Sequence, residues 1–210
     1  MTARLILICH ASTEAVRKSA FPVDEPIDDR GRKEAEDLAG RLPHADQCWT
    51  SPELCARQTA EALRLDASPQ PLLRDCDYGA WRGRAFDDVA AREPQAIAAW
   101  LRDPAAAPHG GESISKLIQR VAQWLAGEQI HHRRSIVVTH AAVIRAAIVH
   151  AIDATPRSFW RIDVAPLWWT RLSGNQGRWN LVSAGMLRGG RQSNEPNPIK
   201  RPSVTSLDLL

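Results

Sequence analysis

Two histidines occupy matched positions in this sequence, and their contexts favour nucleophilic and anion-binding chemistry. His10 ends an apolar run near the N-terminus, and His140 ends a β-branched run much later in the chain. An alanine follows each histidine and leaves room for a ligand, and the next segment carries free N–H groups that could face an anion. One such histidine would more often cap a strand, whereas two matched contexts favour a shared site.

The segments around these histidines predict an α/β fold. Residues 4–9 and 135–139 lack polar alternation, which is typical of strands buried on both faces of a parallel sheet, and residues 45–50 are a third candidate. Helices are predicted at residues 28–42, 52–63, 86–101, 114–126 and 141–152. We therefore expect a single domain with a mostly parallel sheet, helices on both faces, and a ligand site beyond the carboxyl ends of the strands.

The C-terminal part of the chain differs from the rest in composition. Aromatic-rich segments from residue 167 onward flank a glycine-containing turn, which predicts a hairpin. We expect residues 1–188 to form the domain and residues 189–210, rich in Gly, Pro and Asn, to form a tail. The tryptophans are expected in the core and hairpin, with Trp81 near the pocket.

Composition excludes several classes of function. The chain has 210 residues, with 44% hydrophobic and 24% charged residues, as expected for an ordinary globular domain. A formal net charge of +3 is too small to indicate a nucleic-acid or membrane partner. No signal peptide or membrane-spanning run is evident, and the four cysteines form no CxxC motif. We expect a cytoplasmic protein with reduced thiols.

Five motifs follow one another in a recognisable order. Residues 5–13 contain Cys-His-Ala, similar to an Arg-His-Gly signature with Cys9 in place of the arginine. The second motif, Ser-Pro-Glu-Leu-Cys-Ala-Arg-Gln-Thr-Ala at 51–60, is similar to a Ser-Pro…Arg-Ala-Xaa-Gln-Thr-Ala helix. The third is an acid-bearing segment at 73–83, the fourth is His-Gly-Gly-Glu-Ser at 109–113, and the fifth is the second histidine strand and helix at 137–145. Together they resemble the histidine phosphatase superfamily, the phosphoglycerate-mutase-like family. The short stretch between the third and fourth motifs resembles the phosphatases more than the mutases.

The resemblance implies a phosphomonoesterase and a role for each matching residue. His10 would be the nucleophile that forms a phosphohistidine, and Asp75, in competition with Asp77, would be the acid and base. His140 and Arg57 would bind the phosphoryl group. The expected substrate-binding residues are Cys9, Thr13, Arg17, Arg82 and Ala141. No metal or other cofactor is implied, the expected partner is a small phosphorylated metabolite, and a homodimer is left open.

Cys9 is the main departure from the family pattern. A thiol is a weak donor, and losing one charge-assisted hydrogen bond, worth about 1.5–3 kcal/mol, costs roughly one to two powers of ten in binding or rate. Arg17, Arg82 or His109 could restore the positive charge.

Three interpretations stay open at this point. The first is a working phosphatase, and the second is a weak or inactive relative that binds a phosphorylated ligand or a protein partner. The third is a metal or thiol site built from Cys9, His10, Asp75, Cys76 and His140, for which no local ligand-spacing motif exists.

Overall fold

A single mixed sheet organises the chain. The computed structural model describes residues 2–127, 130, 133–175 and 177–186, so the predicted tail at 189–210 lies outside the described residues. Strands of the described part are β1 (Ala3–Cys9), β2 (Gln47–Thr50), β3 (Ala67–Pro69), β4 (Arg134–Thr139), β5 (Trp168–Asn175) and β6 (Arg178–Met186). Their order is β3-β2-β4-β1-β5-β6, with the first four parallel and the β5–β6 hairpin antiparallel. The predicted α/β fold and C-terminal hairpin are confirmed.

Each of the five predicted helical segments contains α-helix, but one of them is divided in two, and a further short helix precedes them. The α-helices are α1 (Glu14–Arg17), α2 (Asp29–Leu38), α3 (Leu54–Ala62), α4 (Phe86–Arg92), α5 (Pro94–Arg102), α6 (Ile114–Leu125) and α7 (Ala141–Ala151), and short 3-10 helices cover Pro71–Leu73, Gly79–Trp81 and Pro156–Arg161. The helical patch predicted over 86–101 is two helices, because Pro94 opens a new helix at its first position. The Ser113 side chain accepts a hydrogen bond from Lys116 N and caps α6 as expected.

Alternate residues of β1 pack into separate cores on the two faces of the sheet. Leu5 and Leu7 lie in the cluster that contains α6 and α7, whereas Ile6 and Ile8 lie in the cluster that contains α2 and α3. Both sets are buried, which accounts for the absence of polar alternation in this strand.

The two histidines lie side by side because β1 and β4 are parallel neighbours. Cys9 is opposite Thr139 in the register, and each strand ends one residue before its histidine. The backbone N–H of His10 donates to Thr139 O at 2.8 Å and continues the pairing to the end of the sheet. His10 and His140 therefore emerge together at the carboxyl edge.

Two loops that contribute to this edge are locked together through close backbone contacts. Ala80 N donates to His109 O at 2.9 Å, and Glu112 N donates to Asp77 O at 2.7 Å. Gly79 adopts a φ of +48°, and a Cβ there would lie 2.0 Å from His109 O. Only glycine allows this approach, so the motif at 109–113 positions the acid-bearing segment.

Candidate active site

His10 and His140 form an edge-to-face pair at the base of a pocket. Their ring centroids lie 5.1 Å apart, and the side chains are almost completely buried. The Nδ1 atom of His10 lies 2.8 Å from Ala11 O. Because a carbonyl oxygen only accepts, Nδ1 carries the hydrogen and Nε2 keeps its lone pair. His10 is thus arranged as a nucleophile or a metal ligand.

His140 is surrounded by acceptors. Its Nε2 atom lies 2.8 Å from Ser51 Oγ and 3.2 Å from Glu53 Oε2, and its Nδ1 atom lies 3.6 Å from Asp75 Oδ2. The Ser51 hydroxyl in turn donates to Glu53. Burial alone would lower the pKa of His140, but Asp75, Cys55 and Glu53 raise it well above its ordinary value. His140 is therefore an imidazolium at neutral pH.

Glu53 is a carboxylate in this network. Burial raises its pKa, but hydrogen bonds from His140 and Ser51 outweigh burial and lower the pKa to about 2. Glu53 Oε1 also lies 3.4 Å from Asp75 N, so it joins the second histidine to the acid-bearing segment.

Cys55 is the pocket residue that the sequence analysis missed. It lies in the first turn of α3, and its sulfur lies within 4.8 Å of a nitrogen of His10 and of His140. The two neighbouring imidazole rings outweigh burial and lower the pKa of the Cys55 thiol to about 7. The signal was available: aligned residue by residue, the Arg-Ala-Xaa-Gln-Thr-Ala pattern places its arginine on Cys55 and its variable residue on Arg57.

Several residues expected at the site lie elsewhere. Arg57 is exposed on α3 and does not line the pocket. Arg17 is exposed at the end of α1, where it pairs with Asp28 at 3.1 Å. Cys9 is buried in the α6–α7 core cluster, and its pKa is raised by burial and by Asp75. None of these three side chains lines the cavity.

His109 and Trp81 also lie behind the pocket wall. Their rings are 4.9 Å apart in the core, and neither residue lines the pocket. Burial lowers the pKa of His109, so it is neutral and supplies no cation.

The remaining expected residues line a cavity of about 380 Å³. Thr13 accepts a hydrogen bond from Val16 N as the N-cap of α1, which leaves its hydroxyl hydrogen free to donate. Ala141 begins α7, and its backbone N–H is directed at the sulfur of Cys9. The lining also contains three arginines and five carboxylates: Arg74, Arg82 and Arg145, with Asp24, Glu25, Glu53, Asp75 and Asp77.

Arg120 on α6 fixes the backbone that carries Asp75. Its guanidinium makes two bonds to the Glu112 carboxylate, at 2.8 and 2.7 Å. It also donates to the carbonyl oxygens of Leu72, Arg74 and Asp75, at 2.7, 2.9 and 3.1 Å. Glu112, the acid of the Gly-Gly-Glu-Ser motif, therefore has a positioning role and does not reach the cavity.

Among the described residues, Cys9 and Cys76 of the predicted metal or thiol set do not join the histidines in a ligand cluster, although Cys76 lines the same pocket. Cys76 is buried, and its Sγ lies 3.4 Å from Glu112 O. Burial and Asp75 raise its pKa, so it stays a thiol. Within the described residues, the histidine pair is joined instead by Cys55.

Comparison with known proteins settles the family. Residues 5–186 match the model of the Histidine phosphatase superfamily (branch 1). The chain belongs to this superfamily. It is 29% identical over 168 residues to phosphoserine phosphatase 1 of Hydrogenobacter thermophilus, which covers 75% of this chain and 80% of that protein. It is 31% identical over 196 residues to glucosyl-3-phosphoglycerate phosphatase of Mycolicibacterium vanbaalenii, which covers 82% and 84%.

A solved phosphatase structure has a similar fold. A putative alpha-ribazole-5'-P phosphatase from Escherichia coli superposes with a TM-score of 0.78 at 25% identity, over 90% of this chain and 99% of that one. No helix in the described part of the chain has the length and apolar character to cross a bilayer.

Proposed function

We propose that this chain is a phosphomonoesterase that acts on a small phosphorylated metabolite through a phosphohistidine on His10. One observation carries the proposal: Nδ1 of His10 is bonded to Ala11 O, 2.8 Å away, in a pocket shared with the cationic His140. This arrangement leaves the Nε2 lone pair available for attack on phosphorus.

The pocket residues support a two-step displacement. In the first step Nε2 of His10 bonds to phosphorus, the ester P–O bond breaks, and Asp75 acts as the general acid that delivers a proton to the leaving oxygen. In the second step water attacks phosphorus, Asp75 takes a proton from it, and the P–N bond breaks to release inorganic phosphate. His140, as an imidazolium beside His10, stabilises the charge on the phosphoryl oxygens in both steps.

The size and lining of the cavity favour a small substrate. A volume of about 380 Å³ suits a metabolite. Arg74 and Arg82 are exposed parts of the lining, placed to contact substrate groups beyond the phosphate. The named relatives act on phosphoserine and on glucosyl-3-phosphoglycerate, which are compounds of this kind.

The proposed activity is slow because two positions that carry arginine in the family pattern carry cysteine in this chain. Cys9 and Cys55 stand where the family pattern has arginines, and Glu53 adds a carboxylate beside His140. Each missing charge-assisted hydrogen bond costs about 1.5–3 kcal/mol of phosphate or transition-state binding.

A second candidate is a weak or inactive relative that binds a phosphorylated ligand or a protein partner. The charges at the site favour this candidate, because Cys55 and Glu53 place negative charge where a phosphate dianion would lie. Turnover separates it from the first candidate.

The test is hydrolysis of an aryl phosphate by the purified chain in the presence of a chelator. We expect slow turnover that His10→Asn abolishes and that His44→Asn, a matched change at an exposed residue outside the pocket, leaves intact. Wild-type protein no faster than His10→Asn would overturn the proposal. If inorganic phosphate then still raised the melting temperature, the second candidate would stand.

A further inference from the structure

His10, Cys55 and His140 bring three metal-ligating side chains together in one buried cluster. One ligand atom from each residue lies within 4.8 Å of the other two, and all three residues are buried. Among the described residues, this is the one group of three or more His, Cys, Asp or Glu side chains whose ligand atoms lie close enough together to hold an ion. Imidazole nitrogen and thiolate sulfur are the donors that zinc prefers in proteins.

The donor atoms are available without breaking the fold. His10 Nε2 keeps its lone pair because Nδ1 is bonded to Ala11 O. The Cys55 sulfur lies within 4.8 Å of a nitrogen of each ring, and metal binding displaces the proton of a coordinating thiol. Nδ1 of His140 is buried and has no hydrogen-bond partner, and it becomes a ligand atom when the imidazolium gives up its proton to bind the ion. An unpartnered buried nitrogen beside a second imidazole and a thiol indicates that this cluster can accept a further group.

The surrounding charges suit a cation better than a phosphate dianion. Glu53 Oε2 lies 3.2 Å from one nitrogen of His140, and Asp75 Oδ2 lies 3.6 Å from the other. These two carboxylates place negative charge beside the cluster. Either could act as a fourth ligand or orient the His140 ring.

We propose that His10, Cys55 and His140 form a binding site for Zn²⁺, and that the bound ion blocks phosphoryl transfer by occupying Nε2 of His10. Zinc places its nitrogen ligands at about 2.0–2.1 Å and sulfur at about 2.3 Å, so the three donors must close by roughly 1 Å through side-chain rotation. The binding does not depend on the proposed phosphatase activity; only the inhibition rests on it.

Titration of the untagged, metal-free chain with Co²⁺ and Zn²⁺ tests the site. Co²⁺ replaces zinc and reports sulfur ligation by a thiolate-to-metal absorption band. We expect one equivalent of Co²⁺ to produce this band and one equivalent of Zn²⁺ to remove it. Cys55→Ser should abolish the band and weaken Zn²⁺ binding at least tenfold. Cys48→Ser, the same change at a cysteine outside the pocket, should leave both unchanged.

A second readout needs no variant. Bound Zn²⁺ should slow alkylation of Cys55, measured by peptide mass spectrometry, at least tenfold relative to the metal-free chain. Wild-type protein that shows no thiolate band, or that loses Cys55 to alkylation equally fast with and without Zn²⁺, overturns the proposal.

The inhibition is measured separately. Zn²⁺ at one equivalent should suppress aryl phosphate hydrolysis, and a chelator should restore it. Stoichiometric Zn²⁺ binding without any phosphatase activity would support the site and count against the phosphatase. Full activity with zinc bound would overturn the blocking step.

Discussion

Cys55 lies between His10 and His140 and interacts with both rings. The proximity of the two rings lowers the pKa of the Cys55 thiol to about 7, against the opposing effect of burial. The same interaction contributes to the raised pKa of His140. A thiolate and an imidazolium thus stabilise each other at the position where phosphate is expected to bind.

Replacing Cys55 with arginine should therefore increase phosphatase activity. Cys55→Arg removes a negative group and adds a planar donor, and one charge-assisted hydrogen bond of about 1.5–3 kcal/mol corresponds to a 10- to 100-fold gain in kcat/KM. The measurement is steady-state hydrolysis of an aryl phosphate. Cys55→Ala is the matched control, since it removes the thiolate without adding a cation. Equal rates for the two variants would contradict the account.

The sequence predicts the two histidines of the candidate site, but it does not predict Cys55 and Glu53, which lie beside them. His10, His140 and Asp75 follow from strand ends and motif order. Arg57 is predicted because a guanidinium suits phosphate binding, whereas residue-by-residue alignment of the motif points to Cys55. Glu53 could not be foreseen, because no pattern indicates that its side chain turns toward His140.

At the scale of elements, the cavity depends on how α6 holds the loop before Asp75. Arg120 and Glu112 form a buried ion pair. Arg120 also donates hydrogen bonds to three carbonyl oxygens of this loop, those of Leu72, Arg74 and Asp75. Removing one member of such a pair leaves the other charge buried without a partner.

Arg120→Met should destabilise the protein by about 3–5 kcal/mol, because it leaves the Glu112 carboxylate uncompensated. Chemical denaturation measures this change. Adding Glu112→Gln should recover part of the loss, since a neutral amide costs less to bury than a carboxylate. If the double variant were no more stable than Arg120→Met, the ion pair would not be the source of the effect.

Element ends were predicted less well than element types, for local reasons. The sequence contains Pro94, yet the apolar positions on both sides of it favoured one helix over the two that form. The edge strand Ala67–Pro69 was missed because three residues carry no readable period. Helix α2 ends at Leu38, four residues before the predicted end at residue 42.

At the scale of the whole molecule, the composition of the strands predicts the sheet and its two cores. The pH dependence of the free energy of unfolding is set by buried titratable groups such as His109. Its side chain accepts a hydrogen bond from Gly111 N at 3.0 Å, and burial lowers its pKa from the ordinary 6.5. The unfolded chain therefore binds more protons than the folded chain below pH 6.5. His109 stabilises the fold above that pH, and the contribution is lost as the pH falls.

His109→Asn should flatten the pH dependence of stability. The asparagine oxygen can accept from Gly111 N, but it does not titrate. We expect the variant to be less stable overall, because it packs less well against Trp81, and to lose less free energy of unfolding than wild type between pH 7 and about pH 5. Denaturation series at several pH values check this. Parallel curves for the two proteins would contradict the assignment of a neutral, buried His109.

The central claim is that His10 accepts the phosphoryl group, and trapping the intermediate tests it most directly. Acid-labile phosphohistidine survives at alkaline pH, so the chain can be mixed with an aryl phosphate, quenched in base and digested for peptide mass spectrometry. The account predicts one phosphoryl group on the peptide that contains His10 and none in His10→Asn. Turnover by wild type with no label on His10, or with label on another residue, would contradict it.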